Sequence, residues 1–160
     1  VKHLLTEEKA AQLVAMPKRF VRPADFAWLP VVPQAKAPGK VYRPTNPRII
    51  NAKLIALETR DNFELFGNSN RHFSFTLRWQ DVDIARIDTN RRHPLPKKPG
   101  ERTVYVHGPH IHYFVPGHGT DYAMSTSAYS FDDPLGALLF FMGYCGVAEI
   151  PPLQETLRFS

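Results

Sequence analysis

In the stretch RHFSFTLRW (Arg71 to Trp79) every second residue is large and apolar. Phe73, Phe75, Leu77 and Trp79 occupy one set of positions, and His72, Ser74, Thr76 and Arg78 the other. An extended strand sends successive side chains to opposite faces, whereas a helix would scatter both sets around its axis. The segment therefore reads as a strand with one face for a core and one face for something polar. The rest of the chain has to cover the first face and explain the second.

Other strands are legible around it. AKLIALETR (Ala52 to Arg60) and NFELFG (Asn62 to Gly67) precede it, and VDIARIDTN (Val82 to Asn90) follows. There Val82, Ala85 and Ile87 fall toward the core, with Arg86 and Asp88 opposite; Ile84 breaks the pattern. TVYVHG, HIHYFV and YAMSTSAYSF are further strand candidates, and LQETLRF a closing edge strand. Two helices frame them. LLTEEKAAQLVAMPKRF starts with Thr6 as N-cap and Glu7 and Glu8 in the first turn, and Pro17 stops it. DDPLGALLFFMGYCG is capped by Asp132 or Asp133, has Pro134 in its first turn, and ends at Gly146. This order predicts an α+β fold: an antiparallel β-sheet with an N-terminal and a C-terminal helix packed on one face. Residues 1–160 read as a single domain. Residues 22–47, with six prolines, form an extended connection within it.

Hydrophobic residues make up 43% of the 160, enough to bury a core, yet no apolar run approaches the roughly 20 residues of a membrane span. The opening VKHLLTEEKAA lacks the apolar stretch of a signal peptide. The single cysteine, Cys145, excludes an internal disulfide and suggests a reducing, cytoplasmic setting. Charge is unevenly spread. Residues 1–105 carry 19 Lys and Arg against 10 Asp and Glu; residues 106–160 carry one against five. A basic body suits a polyanion such as RNA or DNA, and equally a surface kept soluble by its charge.

VYVHGPHIHYFVPGHG (Val104 to Gly119) holds four of the seven histidines. In HIHYFV, His110 and His112 share one face and Ile111 and Tyr113 the other. If the strands pair, His110 and His112 join His72, Thr76, Arg78, Arg86 and Asp88 on one open polar face. Imidazoles, guanidiniums and a carboxylate suit phosphodiester cleavage: one His takes a hydroxyl proton, another protonates the leaving oxygen, Arg steadies the phosphate, and Asp88 orients a ring. A metal is the competing use, since His at i and i+2 of a strand lie about 6.6 Å apart at Cα. His107 or His118 would then be a third ligand. RRHPLPKKPGER, which contains His93, reads as a basic loop whose Arg91, Arg92, Lys97 and Lys98 could hold phosphates, and equally as a solvated turn. Cys145, among Leu138, Phe141 and Met142, reads as core.

Three histidine signatures are not met. No Glu follows His-x-His as in cupins. Gly108 stands where the histidine-triad motif needs a third His. HFSF at His72 fits one half of a two-histidine phosphoesterase pair, but HGTD at His118 does not fit the other.

IARIDTNRRHPLP, PHIHYFVPGHGTDYAM and LLFFMGYCGVAEIPPLQETL together resemble a family of small bacterial and phage proteins of unknown function. The resemblance rests on the LLTEEKAAQL helix, on Arg86, Asp88 and His93, and on Pro109, His110, Ile111 and His112. Phe114, Tyr122 and Ala123 match further positions, as do Pro151, Gln154 and Leu157 at the end. Where that family has an Asn-Pro-Asp-Gly turn after its lone His, this chain has PLPKKPG. The resemblance implies no activity; small size and a His-rich face are shared with ribonuclease toxins and phage-defence proteins by analogy.

The expectation is a small ribonuclease of toxin or phage-defence type, working without metal or other cofactor on RNA. His110, His112 and His72 would be the acid–base candidates, Asp88 the orienting carboxylate, and Arg78, Arg86, Arg91, Arg92, Lys97 and Lys98 the phosphate contacts. A cognate antitoxin or other protein partner fits that role; a membrane does not. The alternatives are a non-catalytic module binding nucleic acid or protein, such as a phage inhibitor or an antitoxin-like protein, and a His-ligated metal protein.

Overall fold

A computed structural model describes residues 4–30, 48–69 and 72–155. Helix α1 (Glu7–Ala15) begins where the sequence places it: the Thr6 hydroxyl accepts from the Lys9 N–H at 3.1 Å. Ala10, Leu13 and Val14 form its buried face. Strand β1 (Lys18–Phe20) follows, then a 3-10 turn at Pro23–Asp25 and strand β2 (Ala27–Pro30). The remainder of the Pro-rich connection, 31–47, lies outside the described residues.

Strands β3 (Arg48–Ala56), β4 (Asn62–Asn68), β5 (Ser74–Trp79) and β6 (Val82–Asp88) make an antiparallel meander. β7 (Arg92–Pro94) and β8 (Tyr105–His107) pair with each other as a separate hairpin. β9 (His110–Val115) and β10 (Gly119–Ser125) return to the main sheet, and helix α2 (Pro134–Tyr144) starts with the Asp133 carboxylate accepting from the Gly136 N–H at 2.9 Å. Strand β11 (Gln154–Glu155) comes last. The sheet runs β10-β9-β6-β5-β4-β3-β2-β11, with β1 also on β3.

The α+β architecture is as expected, with local corrections. β11 pairs parallel to β2, so the sheet is not wholly antiparallel. The strand expected through Arg60 stops at Ala56, because the chain turns there with Arg60 at φ 60°. The strand expected through Phe131 stops at Ser125. The basic segment expected to be a loop contributes strand β7.

The core is the face the alternation marks. Phe73, Phe75 and Leu77 pack with Leu54, Leu65, Ile87 and Ile111, and both helices press Leu13, Val14, Leu138 and Phe141 into the same cluster. Ile84 has a physical explanation. Leu77 pairs with Ala85 while Arg78 pairs with Asp83, so Ile84 is the extra residue of a β-bulge. It stays buried, and the strand keeps Val82 and Ala85 inward on either side of it.

The two helices end at one point. The Lys18 side chain is fully buried, and its ammonium donates to the carbonyls of Val14 at 2.8 Å, Met16 at 2.9 Å and Cys145 at 2.7 Å. Unpaired carbonyls carry the negative end of each helix dipole, so one cation satisfies both termini.

Candidate functional site

The polar face of the sheet is built by pairing of β6 with β9. Arg86 lies opposite His112 and Ile87 opposite Ile111. Alternation then sends Arg86, Asp88, His110 and His112 away from the core. The Asp88 carboxylate sits between the two imidazoles: Oδ1 is 3.2 Å from His110 Nε2 and Oδ2 3.0 Å from His112 Nε2. Neither contact has the direction of a hydrogen bond, and both Nε2 atoms are buried without such a partner. The Arg86 Nε is likewise buried and unpaired, 3.6 Å from Asp88 Oδ2.

This face is not open. His110 and His112 are 0% exposed, and Asp88 is buried. The cover is the β7–β8 hairpin, which lays the His93 ring 5.6 Å from that of His110 and, edge-on, 4.5 Å from that of His112. One ring nitrogen from each of His93, His110 and His112 lies within 4.8 Å of the others.

Each imidazole also spends a nitrogen on a backbone carbonyl. His110 Nδ1 meets the Gly108 oxygen at 2.8 Å, in the β8–β9 turn where Gly108 adopts φ 75°. His112 Nδ1 meets the Thr120 oxygen at 2.9 Å, and His93 Nε2 the Asp121 oxygen at 2.6 Å. Thr120 and Asp121 belong to a bulge in β10 between Gly119 and Tyr122. The bulge takes them out of the ladder and frees their carbonyls for the rings. A carbonyl can only accept, so each of these nitrogens carries the proton, which leaves Nε2 of His110 and His112 as lone-pair acceptors in the neutral rings. The 3.3 Å approach of Arg86 Nη2 to His112 Nδ1 is then a crowded contact rather than a donation.

Tyr129 completes the frame. Its hydroxyl accepts from the His110 N–H at 3.2 Å and donates between the carbonyls of Asp88 and His110, each 2.9 Å away. It thus fills the gap where β6 and β9 cease to pair.

Electrostatics follow from burial and neighbours. Burial works to raise the Asp88 carboxyl, but the two imidazoles and the Asn90 N–H outweigh it and hold Asp88 well below the usual carboxylate range. His110 is raised: Asp88 and the Gly108 carbonyl overcome its burial. His112 is lowered, by burial first and then by Arg86 and His110. Burial pushes the Tyr129 phenol up to about 12.

Of the residues expected at the site, Asp88, His110, His112 and Arg86 come together. His72 does not; it is exposed, with Nδ1 3.5 Å from the Thr89 hydroxyl. Arg78 is engaged elsewhere, its Nε 2.8 Å from Asp83 Oδ1 and its guanidinium over the Phe66 ring. Thr76 is buried. Arg91 and Arg92 are exposed on the hairpin, Arg92 stacked 4.1 Å over Tyr105. Lys97 and Lys98 lie at its tip, tied to Glu101. His107 and His118, the expected third ligands, are outside the three-histidine group; the third member is His93. On sequence alone neither His93 nor Tyr129 stands out as a site residue. Arg86, Asp88 and His93 do recur together in the resemblance, which was the available signal for His93; a loop tyrosine offers none.

The fold and site define a small α+β protein with a buried histidine–aspartate centre under a basic hairpin. The chain belongs to DUF6978, a family of unknown function, whose model matches residues 5–147. No curated protein and no solved structure matches it.

Proposed function

We propose that the protein is a small ribonuclease of toxin or phage-defence type, cleaving RNA at the histidine–aspartate centre. The observation that supports it most is the placement of half-buried His93 on the solvent side of buried His110, His112 and Asp88. Phosphodiester cleavage needs a group that exchanges protons near neutral pH and positive charge for the phosphate. His93 places a half-buried imidazole on the hairpin, in reach of a bound strand. Arg91 and Arg92, its neighbours on the hairpin, supply the positive charge, with Lys97 and Lys98 further along the strand of RNA. His110, His112 and Asp88 hold the His93 ring from behind. A cytoplasmic setting suits this reading, since Cys145 is a lone thiol sealed in the core.

The test is incubation of the protein with a mixed RNA pool across about pH 5 to 8, with and without a chelator. Cleavage by the native protein should fall about a hundredfold or more in His93→Gln. If the native protein leaves the RNA intact in every condition, the reading fails.

Full burial of His110 and His112 favours a second reading, a non-catalytic module that binds nucleic acid or a partner protein. The histidine cluster would then pin the hairpin in place. RNA binding that survives His93→Gln but weakens steeply with salt, without cleavage, supports it.

A further inference from the structure

We infer that His93, His110 and His112, with Asp88 beside them, bind one divalent first-row transition-metal ion of the zinc class. The inference stands on the donors themselves; it makes His93 a ligand in place of the proton-transfer role proposed above, and its test separates the two. It differs from the metal-free chemistry the sequence suggests.

Four observations carry it. Three imidazole nitrogens converge within 4.8 Å. His110 and His112 each have Nδ1 on a backbone carbonyl, the outer contact that fixes the tautomer and leaves Nε2 free for a metal, and His93 Nε2 meets the Asp121 carbonyl. The free Nε2 atoms of His110 and His112 are buried, lack hydrogen bonds, and face a carboxylate. With neutral rings these atoms and the carboxylate oxygens are all acceptors, so the buried site needs positive charge among them, as a proton on a ring or as a metal ion. Finally, Asp88 sets one oxygen against each buried imidazole, Oδ1 3.2 Å from His110 Nε2 and Oδ2 3.0 Å from His112 Nε2, so a negative charge lies beside the three-nitrogen group.

Donor chemistry selects the ion. Nitrogen-rich ligands disfavour magnesium and calcium, and the group has no thiolate to favour copper(I). Three imidazoles and a carboxylate suit zinc, iron(II), cobalt(II) or nickel(II), with zinc the natural first probe. His93 would close the site from the hairpin, so metal binding would lock β7–β8 to the sheet.

Metal content of the purified full chain is measured by mass spectrometry, and the stripped chain is titrated with zinc(II) and cobalt(II). The inference expects about one equivalent bound, and visible absorption bands of low-symmetry cobalt(II). His112→Ala should abolish both. Because that change opens a buried cavity, His93→Ala on the half-exposed hairpin is the second variant, with folding followed by circular dichroism. It should weaken affinity by about 10-fold or more while the sheet stays intact. A folded native chain that takes up neither ion at neutral pH overturns the inference, as does equal affinity in both variants. Metal uptake without RNA cleavage keeps it and removes the ribonuclease reading; chelator-resistant cleavage by a metal-free chain does the reverse.

Discussion

Tyr129 and Lys18 show how much a single side chain decides here. One hydroxyl joins the backbone of Asp88 to that of His110, so Tyr129 positions two site residues through their main chains. Tyr129→Phe keeps the ring against Phe73 and Phe140 but leaves a buried N–H and carbonyls unpaired. It should cost about 1–3 kcal/mol, read by urea unfolding. Lys18→Met strands three carbonyls at two helix ends and should cost about 3 kcal/mol or more at neutral pH. Lys18 also sets a pH dependence. Burial lowers its pKa from 10.5 to about 8, so between these values the unfolded chain holds the extra proton. Stability from this group therefore rises with pH across that window and is lost as pH falls through about 8. The stability difference between native protein and Lys18→Met should widen by about 2 kcal/mol between pH 8 and pH 10. The Cys145 thiol, which burial holds up to about 12, titrates above this window.

Elements place the chemistry through their irregularities. The β6 bulge at Ile84 keeps apolar residues inward on both sides of the extra residue, which lets Arg86 and Asp88 emerge on the polar face. The β10 bulge turns two carbonyls toward His93 and His112. Regular strands would have offered neither. The helix junction is equally exacting. Gly146 ends α2 at φ 77°, and a Cβ there would collide with the Met16 carbonyl oxygen. Gly146→Ala should therefore destabilise by about 2 kcal/mol or more, from left-handed strain plus a backbone clash, measurable as a lower thermal midpoint. Alternation made β5, β6 and β9 readable because burial on one face imposes it. A bulge breaks that period, and so Ile84 appears in the sequence only as an inconsistency.

Across the whole molecule, a net charge of +5 meets a sheet whose polar face is closed by a basic hairpin. If that hairpin holds RNA, affinity should fall steeply as salt rises from about 50 to 200 mM, and Arg91→Ala or Arg92→Ala should each reduce the logarithmic slope by about one. Measured slopes that ignore both arginines would place any RNA elsewhere. The expected open face failed because composition cannot say which segment folds over which. RRHPLPKKPGER reads as a solvated loop from charge and proline alone. In the structure its first residues pair with β8, and that pairing carries His93 onto His110 and His112.

What the sequence determined by itself is what local periodicity and capping encode: two helices with Thr6 and one of Asp132 and Asp133 at their starts, the alternating strands, the core face, and the polar sides that carry Arg86 and Asp88 on one strand and His110 and His112 on another. Each follows from side-chain direction within one segment. Only the tertiary structure decided what lies far apart in sequence. The burial of the imidazoles, the inclusion of His93, the exclusion of His72 and Arg78, and the roles of Tyr129 and Lys18 all depend on contacts between separate elements. Such contacts leave no period in the chain, because their geometry is set by how the hairpin and the helix ends settle on the finished sheet.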